Sequence, residues 1–149
     1  SGEPLCGLSI DFSKAFDRVP QEHVFQLAER LGLPGHILGA LRAMYSQLRR
    51  RFKIGGTLGE AFASTQGMLQ GRPLSIVLLN FLMQVWCHAA ESLGSPKCYS
   101  DDASASTENA SQVKSVLQMS ERFATLTGMR LNFPKSLLWA LRKNDRKKT

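Results

Sequence analysis

The sequence predicts an α+β fold: a split β-α-β-β-α-β antiparallel sheet with helices on one face, carrying a helical and hairpin insertion. Three observations lead there. Short runs of strand length occur at residues 5–10, 97–100 and 103–107, the first running into Asp11 and the other two flanking Asp101-Asp102. Two stretches of helical length, 73–93 and 109–127, alternate with them. The segment between residues 20 and 66 has helical and hairpin patterns of its own, and setting it aside restores the β-α-β-β-α-β order.

Each element has a local reason. Residues 5–10 read as a short buried strand. Residues 21–31 and 34–48 are predicted helices, split by Gly32-Leu33-Pro34-Gly35, with Pro34 at a helix start where its missing N–H does no harm. Residues 50–54 and 61–65 flank Gly55-Gly56-Thr57-Leu58-Gly59, a hairpin signature. The long helix over 73–93 is closed by Gly94. Its apolar stretch contains Ser75, Asn80, Gln84 and His88 and falls short of the roughly 20 apolar residues a membrane span needs. It is therefore expected to be buried on most of its faces, and no membrane partner is expected. Residues 97–100 and 103–107 form a second hairpin with Asp101-Asp102 as its turn. Over 109–127 an amphipathic helix places Val113, Val116, Leu117, Phe123 and Leu126 on one side and stops at Gly128. Residues 131–133 and 137–141 are short terminal strands, and Trp86 and Trp139 are expected in the core.

With 149 residues and 43% hydrophobic content, the chain can bury one real core and is too short for two ordinary domains. Lys and Arg outnumber Asp and Glu by 19 to 12, which favours anionic partners, nucleic acid before membrane. Arg142, Lys143, Arg146, Lys147 and Lys148 supply much of that excess, so residues 142–149 read as a basic, disordered tail. Cys6, Cys87 and Cys98 are odd in number and lack Cys-x-x-Cys spacing; buried structural cysteines in a reducing, intracellular compartment (nucleus or cytoplasm) are expected. The first residues lack a signal-peptide pattern, and the chain runs almost at once into a motif, so it is expected to be a piece of a longer protein.

The acids carry the chemistry. In this topology the first strand and the central hairpin are neighbours, so Asp11 and Asp101 meet at one end of the sheet. Carboxylates placed there suit hard cations such as Mg²⁺, and two such ions can clamp the attacking and leaving oxygens of a phosphoryl transfer. Successive strand residues point to opposite faces, so Asp101 is expected to be the ligand and Asp102 a weaker partner. Asp17 is expected to point away from the site. Taken alone, an Asp-Asp pair between strands is an ordinary turn.

Four stretches together resemble the palm of a reverse transcriptase, of the kind found in non-LTR retrotransposons and their group II intron relatives. Asp11-Phe12-Ser13-Lys14-Ala15-Phe16-Asp17, continued by Val19-Pro20, is similar to the first palm motif. Gly67-Met68-Leu69-Gln70-Gly71-Arg72-Pro73-Leu74-Ser75 resembles the second, Cys98-Tyr99-Ser100-Asp101-Asp102 the aromatic and Asp pair of the third, and residues 128–136 the fourth. Leu31-Gly32-Leu33-Pro34 and Tyr45 also have counterparts. The sequence departs from the pattern at Ile76, where Pro usually sets the helix entry, and at Ser100, where Ala is usual. The likeness covers residues 1–141 as a partial polymerase palm, without the fingers and thumb of the parent polypeptide.

The resemblance implies an RNA-directed DNA polymerase, a nucleotidyltransferase from a retroelement polyprotein. Its partners are an RNA template, a DNA primer and deoxynucleoside triphosphates. Asp11, Asp101 and the Phe12 carbonyl would hold two Mg²⁺ ions, with Mn²⁺ able to substitute, and Asp102 would support them. Phe16 would lie under the incoming sugar and exclude a 2′-hydroxyl; Gln70 and Gly71 would approach the template base pair. Lys135 would protonate or neutralise the departing pyrophosphate. Arg49, Arg50, Arg51, Lys53 and Arg72 would meet nucleic-acid phosphates or the triphosphate. Plainer roles stand beside these: Phe16 as core, Lys135 as a solvated lysine, the basic run as a solvated edge strand. So does a decayed palm acting only as a nucleic-acid-binding or inert fold. A template-copying RNA polymerase would want a small polar residue in place of Phe16.

Overall fold

The computed structural model describes residues 5–69 and 73–141. Alternation along its first strand builds the two faces of the sheet. β1 (Leu5–Ser13) buries Leu8, Ile10 and Phe12 on one side and leaves Ser9, Asp11 and Ser13 half-buried on the other. The strand outruns the expected 5–10 because pairing partners continue past Ile10, which puts Asp11 inside it.

A short helix α1 (Ala15–Arg18) follows, then α2 (Gln21–Arg30) and α3 (Gly35–Ser46), the last entered from Pro34 as the sequence predicts. The hairpin insertion is broken into four two-residue strands, β2 (Arg49–Arg50), β3 (Lys53–Ile54), β4 (Thr57–Leu58) and β5 (Phe62–Ala63). β3 pairs with β4 around Gly55-Gly56, both with positive φ (57° and 85°), and β2 pairs with β5. Two positive φ values in a two-residue turn suit the right-handed twist of the strands, which is why glycines stand there.

The long helix α4 spans Pro73–Ala90 among the described residues, and Ile76 falls on its exposed side. β6 (Ser95–Tyr99), β7 (Asp102–Thr107), α5 (Ala110–Thr127), β8 (Arg130–Leu131), a 3₁₀ turn (Phe133–Lys135) and β9 (Leu137–Leu141) complete the chain. Asn109 caps α5, its side chain accepting from the Gln112 N–H, and Gly128 closes it in the left-handed region (φ 72°). The expected strand over 131–133 gives way to the 3₁₀ turn after Leu131, because Pro134 has no N–H for a ladder.

The sheet runs β6-β7-β1-β8, entirely antiparallel, with β9 sharing the β1 edge beyond β8. α4 contacts β6 and α5; α5 contacts β1, β7 and β8. Leu8, Ile10 and Phe12 meet Ala103 and Ala105 of β7 and Val113, Val116 and Phe123 of α5 in one core, with Phe12 edge-on to Phe123 at 5.7 Å. Trp86 is fully buried, its indole N–H donating to Ser120 Oγ at 2.9 Å. Trp139 instead lies half-buried opposite Gly7; a Cβ on Gly7 would come within 2.3 Å of the indole ring.

Four expectations need correction. α4 buries one face (Leu78, Leu79, Leu82, Met83, Trp86) against its neighbours α2, β6 and α5 and exposes Leu74, Ile76, Val77 and Val85, which no described element covers. Leu126 is 76% exposed, outside the buried stripe of α5. Trp139 packs on the sheet instead of entering the core. Of the cysteines only Cys6 is buried; Cys87 and Cys98 are half-buried and bring their sulfurs to 2.7 Å between α4 and β6. Burial, then Cys87, pushes the Cys98 thiol upward in pKa.

Candidate active site

The first acid is placed by strand alternation. Asp11 sits on the sheet face opposite the Ile10 and Phe12 side chains, and the chain leaves β1 there through Ser13 and Lys14. Lys14 takes a left-handed conformation (φ 53°), which turns the chain sharply into α1.

The second acid is placed by the β6–β7 turn. Tyr99 pairs with Asp102, so the two-residue turn is Ser100-Asp101 and not the expected Asp101-Asp102. The one-residue shift has a backbone cause: Ser100 adopts φ 56°, a conformation the sequence pattern assigns to Gly or Asn. Asp101 then sits in the turn. Asp102 opens β7 as the Cα partner of Asp11, on the same face of the sheet, and is exposed. Lys14 and Ser100 are the two non-glycine residues with positive φ among the described residues. Ser100 immediately precedes Asp101, and Lys14, three residues after Asp11, lines the same cleft; strained backbone of this kind gathers at functional sites.

Asp11 and Asp101 line one cleft of about 420 Å³ together with Phe12, Phe16, Lys14 and Lys135. Phe12 offers it backbone only, since its ring is buried against Phe123. Phe16 is half-buried, one side on the core and one on the cleft, and its carbonyl accepts the Met68 N–H. Lys135 is exposed at the rim on the 3₁₀ turn. Asp17, expected to point away, also lines the cleft, because α1 is a single turn and brings its residue there. A larger cleft of about 910 Å³ lies between α4 and α5, away from the acids.

Asn132 and Ser136 join the site without having been singled out. Asn132 Nδ2 donates to Asp11 Oδ2 at 2.7 Å, and Asp11 N–H donates to Ser136 Oγ at 3.4 Å. The sequence signal was faint: both lie in the fourth motif, but contacts spanning 121 and 125 residues leave no local pattern.

The second motif is tied to the first through Gly67. Its N–H donates to the Val19 carbonyl at 2.8 Å, and its carbonyl accepts from Gln21 Nε2 (3.0 Å) and Arg50 Nη2 (3.2 Å). Gln70, Gly71 and Arg72 lie outside the described residues. Arg50 is thus engaged with the protein, whereas Arg49, Arg51 and Lys53 are exposed on the hairpin.

The donor set suits a hard divalent cation. Among the described residues no three His, Cys, Asp or Glu side chains form a cage. Mg²⁺ characteristically takes one or two carboxylates and completes its octahedron with water and substrate phosphates. Two carboxylates and a backbone carbonyl at an open cleft fit that habit.

The reverse transcriptase (RNA-dependent DNA polymerase) family matches residues 2–146. The chain is 25% identical to the uncharacterized 149 kDa protein of transposon TX1 of Xenopus laevis, covering 91% of this chain and 11% of that protein. It is 21% identical to the retrovirus-related Pol polyprotein of the type-2 retrotransposable element R2DM of Drosophila melanogaster, with 94% and 14% covered. The chain therefore spans a small part of these relatives. In structure it is similar to apo telomerase from Candida tropicalis truncated from its C-terminal domain, with a TM-score of 0.75 at 16% identity over 98% of this chain and 32% of that one. It is also similar to Candida albicans telomerase, solved with a fragment of telomeric RNA, with a TM-score of 0.73 at 16% identity over 97% and 28%.

Proposed function

The chain belongs to the reverse transcriptase (RNA-dependent DNA polymerase) family, and from that premise we propose that it is the palm of a retroelement polymerase that copies RNA into DNA. The observation that carries this reading is the meeting of Asp11 and Asp101, far apart in sequence, in one cleft at the end of an antiparallel sheet.

The reaction is attack of a primer 3′-oxygen on the α-phosphorus of a deoxynucleoside triphosphate, with pyrophosphate leaving. Asp11, Asp101 and the Phe12 carbonyl would hold two Mg²⁺ ions, with Asp102 beside them adding negative charge. When bound, those ions neutralise phosphate charge and ease loss of the 3′-hydroxyl proton. Lys135 holds a proton at Nζ and delivers it to the departing pyrophosphate, or neutralises it. Phe16 closes the cleft floor with a ring that leaves no space for a 2′-hydroxyl. Arg49, Arg51 and Lys53 reach the phosphates of the RNA template and its growing DNA partner.

The test is templated incorporation. With the chain placed in a polypeptide that supplies fingers and thumb, Asp101→Asn should abolish RNA-templated deoxynucleotide addition, a loss of at least about a thousandfold for removing a ligand carboxylate from a charge-stabilised transition state. Activity undiminished in that variant, with the fold intact by circular dichroism, would overturn the assignment.

A further inference from the structure

One short segment holds Asp11 at its backbone N–H, its carbonyl and one carboxylate oxygen. Asn132 Nδ2 donates to its Oδ2 at 2.7 Å, and the Asn132 backbone N–H donates to its carbonyl at 2.9 Å. The Asp11 N–H in turn donates to Ser136 Oγ at 3.4 Å, and that hydroxyl donates to the Asn132 carbonyl at 2.9 Å. The same carbonyl accepts the N–H groups of Lys135 (3.0 Å) and Ser136 (2.9 Å), which folds residues 132–136 into a closed turn around the acid.

The chemistry of residue 132 matters here. An ionised carboxylate only accepts, so the group facing it must donate; an amide NH₂ does, and an Asp of the same shape would repel. The bond uses one lone pair of Oδ2 and fixes the plane of the carboxyl group, while the remaining lone pairs stay available. Partners of this kind orient a metal ligand, and losing one typically costs 10–100-fold in metal affinity or activity.

We propose that Asn132 is a positioning residue: it locks the Asp11 carboxylate in the orientation that binds a divalent cation, with Ser136 holding the turn in register. This rests on the reading of Asp11 and Asp101 as cation ligands. It differs from a merely structural role, which would move stability and leave cation affinity alone.

Mn²⁺ binding to the 149-residue chain, followed by the spin-resonance signal of the free ion, separates the cases. The chain should bind Mn²⁺ in a way that Asp11→Asn removes. Asn132→Leu, branched at the same carbon but with no donor, should weaken that binding about 10–100-fold while the metal-free melting temperature stays close to that of the parent chain. Asn132→Gln, which keeps the donor on a longer arm, should recover part of the loss. Should Asn132→Leu no longer melt cooperatively, Asn132→Ser, a turn-forming residue too short to reach Oδ2, carries the same comparison. Binding unchanged in the donor-less variant, with Asp11→Asn still deficient, overturns the positioning role alone. Equal binding by the parent chain and Asp11→Asn overturns the cation-site reading and this inference with it.

Discussion

On the proposed reading, Phe16 acts through its size alone. Its ring rests on the core and borders the cleft beside Asp11 and Asp101. In a polypeptide with fingers and thumb, Phe16→Ala should raise ribonucleotide incorporation at least tenfold, since a steric block worth about 1.4 kcal/mol is a factor of ten, and leave deoxynucleotide use largely intact. Paired incorporation rates on one template measure this; an unmoved ratio would reduce Phe16 to a packing residue. Trp86 supplies the matching stability test. Its indole N–H has Ser120 Oγ as its partner in the buried core, and that hydroxyl also donates to the Val116 carbonyl at 2.7 Å. Ser120→Ala strands a buried donor and should cost about 1–3 kcal/mol, several degrees of melting temperature. Unchanged melting would mean that the indole finds another partner.

Between elements, backbone conformation does what side chains do within them. Gly67 has φ 79°, and a Cβ there would meet the Asp17 carbonyl oxygen at 2.8 Å and that of Phe16 at 3.0 Å. The first and second motifs can therefore touch only through a glycine. Gly67→Ala should destabilise by at least about 2 kcal/mol, combining an unfavourable backbone conformation with a clash against atoms that cannot rotate away; denaturant unfolding reads it directly. The β6–β7 turn is tuned differently. Ser100 tolerates φ 56° at some cost, so Ser100→Gly should melt no lower than the parent chain, whereas Ser100→Val should lose about 1–2 kcal/mol. Equal melting of the two variants would show that the turn relaxes to another type.

For the whole molecule, charge sets what this chain does unaided. Among the described residues lining the cleft, Lys14 and Lys135 are the cations, facing Asp11, Asp17 and Asp101. Phosphoryl transfer of this kind depends mainly on positioning and charge neutralisation, and two lysines hold a triphosphate loosely. The 149-residue chain should not extend a primer, even with Mg²⁺, template and deoxynucleotides present. It should still bind single-stranded RNA weakly through the hairpin cations. Three phosphate contacts predict about a ten- to twentyfold loss of affinity between 50 and 200 mM salt, and replacing Arg49, Arg51 and Lys53 with Ala should flatten that dependence. Templated extension abolished by Asp101→Asn would show that the chain needs no further polypeptide.

The sequence by itself determined the main elements and their order, because the signals for them are local: strand-length apolar runs, Pro34 at a helix start, Asn109 and Gly128 at helix ends, Gly55-Gly56 in a hairpin; α1, the splitting of the insertion into two-residue strands and the 3₁₀ turn after Leu131 were not among them. It also put Asp11 and Asp101 at the same end of the sheet, since the split β-α-β-β-α-β order leaves the first strand beside the central hairpin. Tertiary structure decided what depends on a neighbour. The Ser100 backbone set the hairpin register and so placed Asp102 opposite Asp11; packing against α2, β6 and α5 determined which face of α4 was buried; α1 brought Asp17 to the cleft. The Asn132 clamp on Asp11 belongs here too. A bond across 121 residues has no period and no spacing, so only packing can create it.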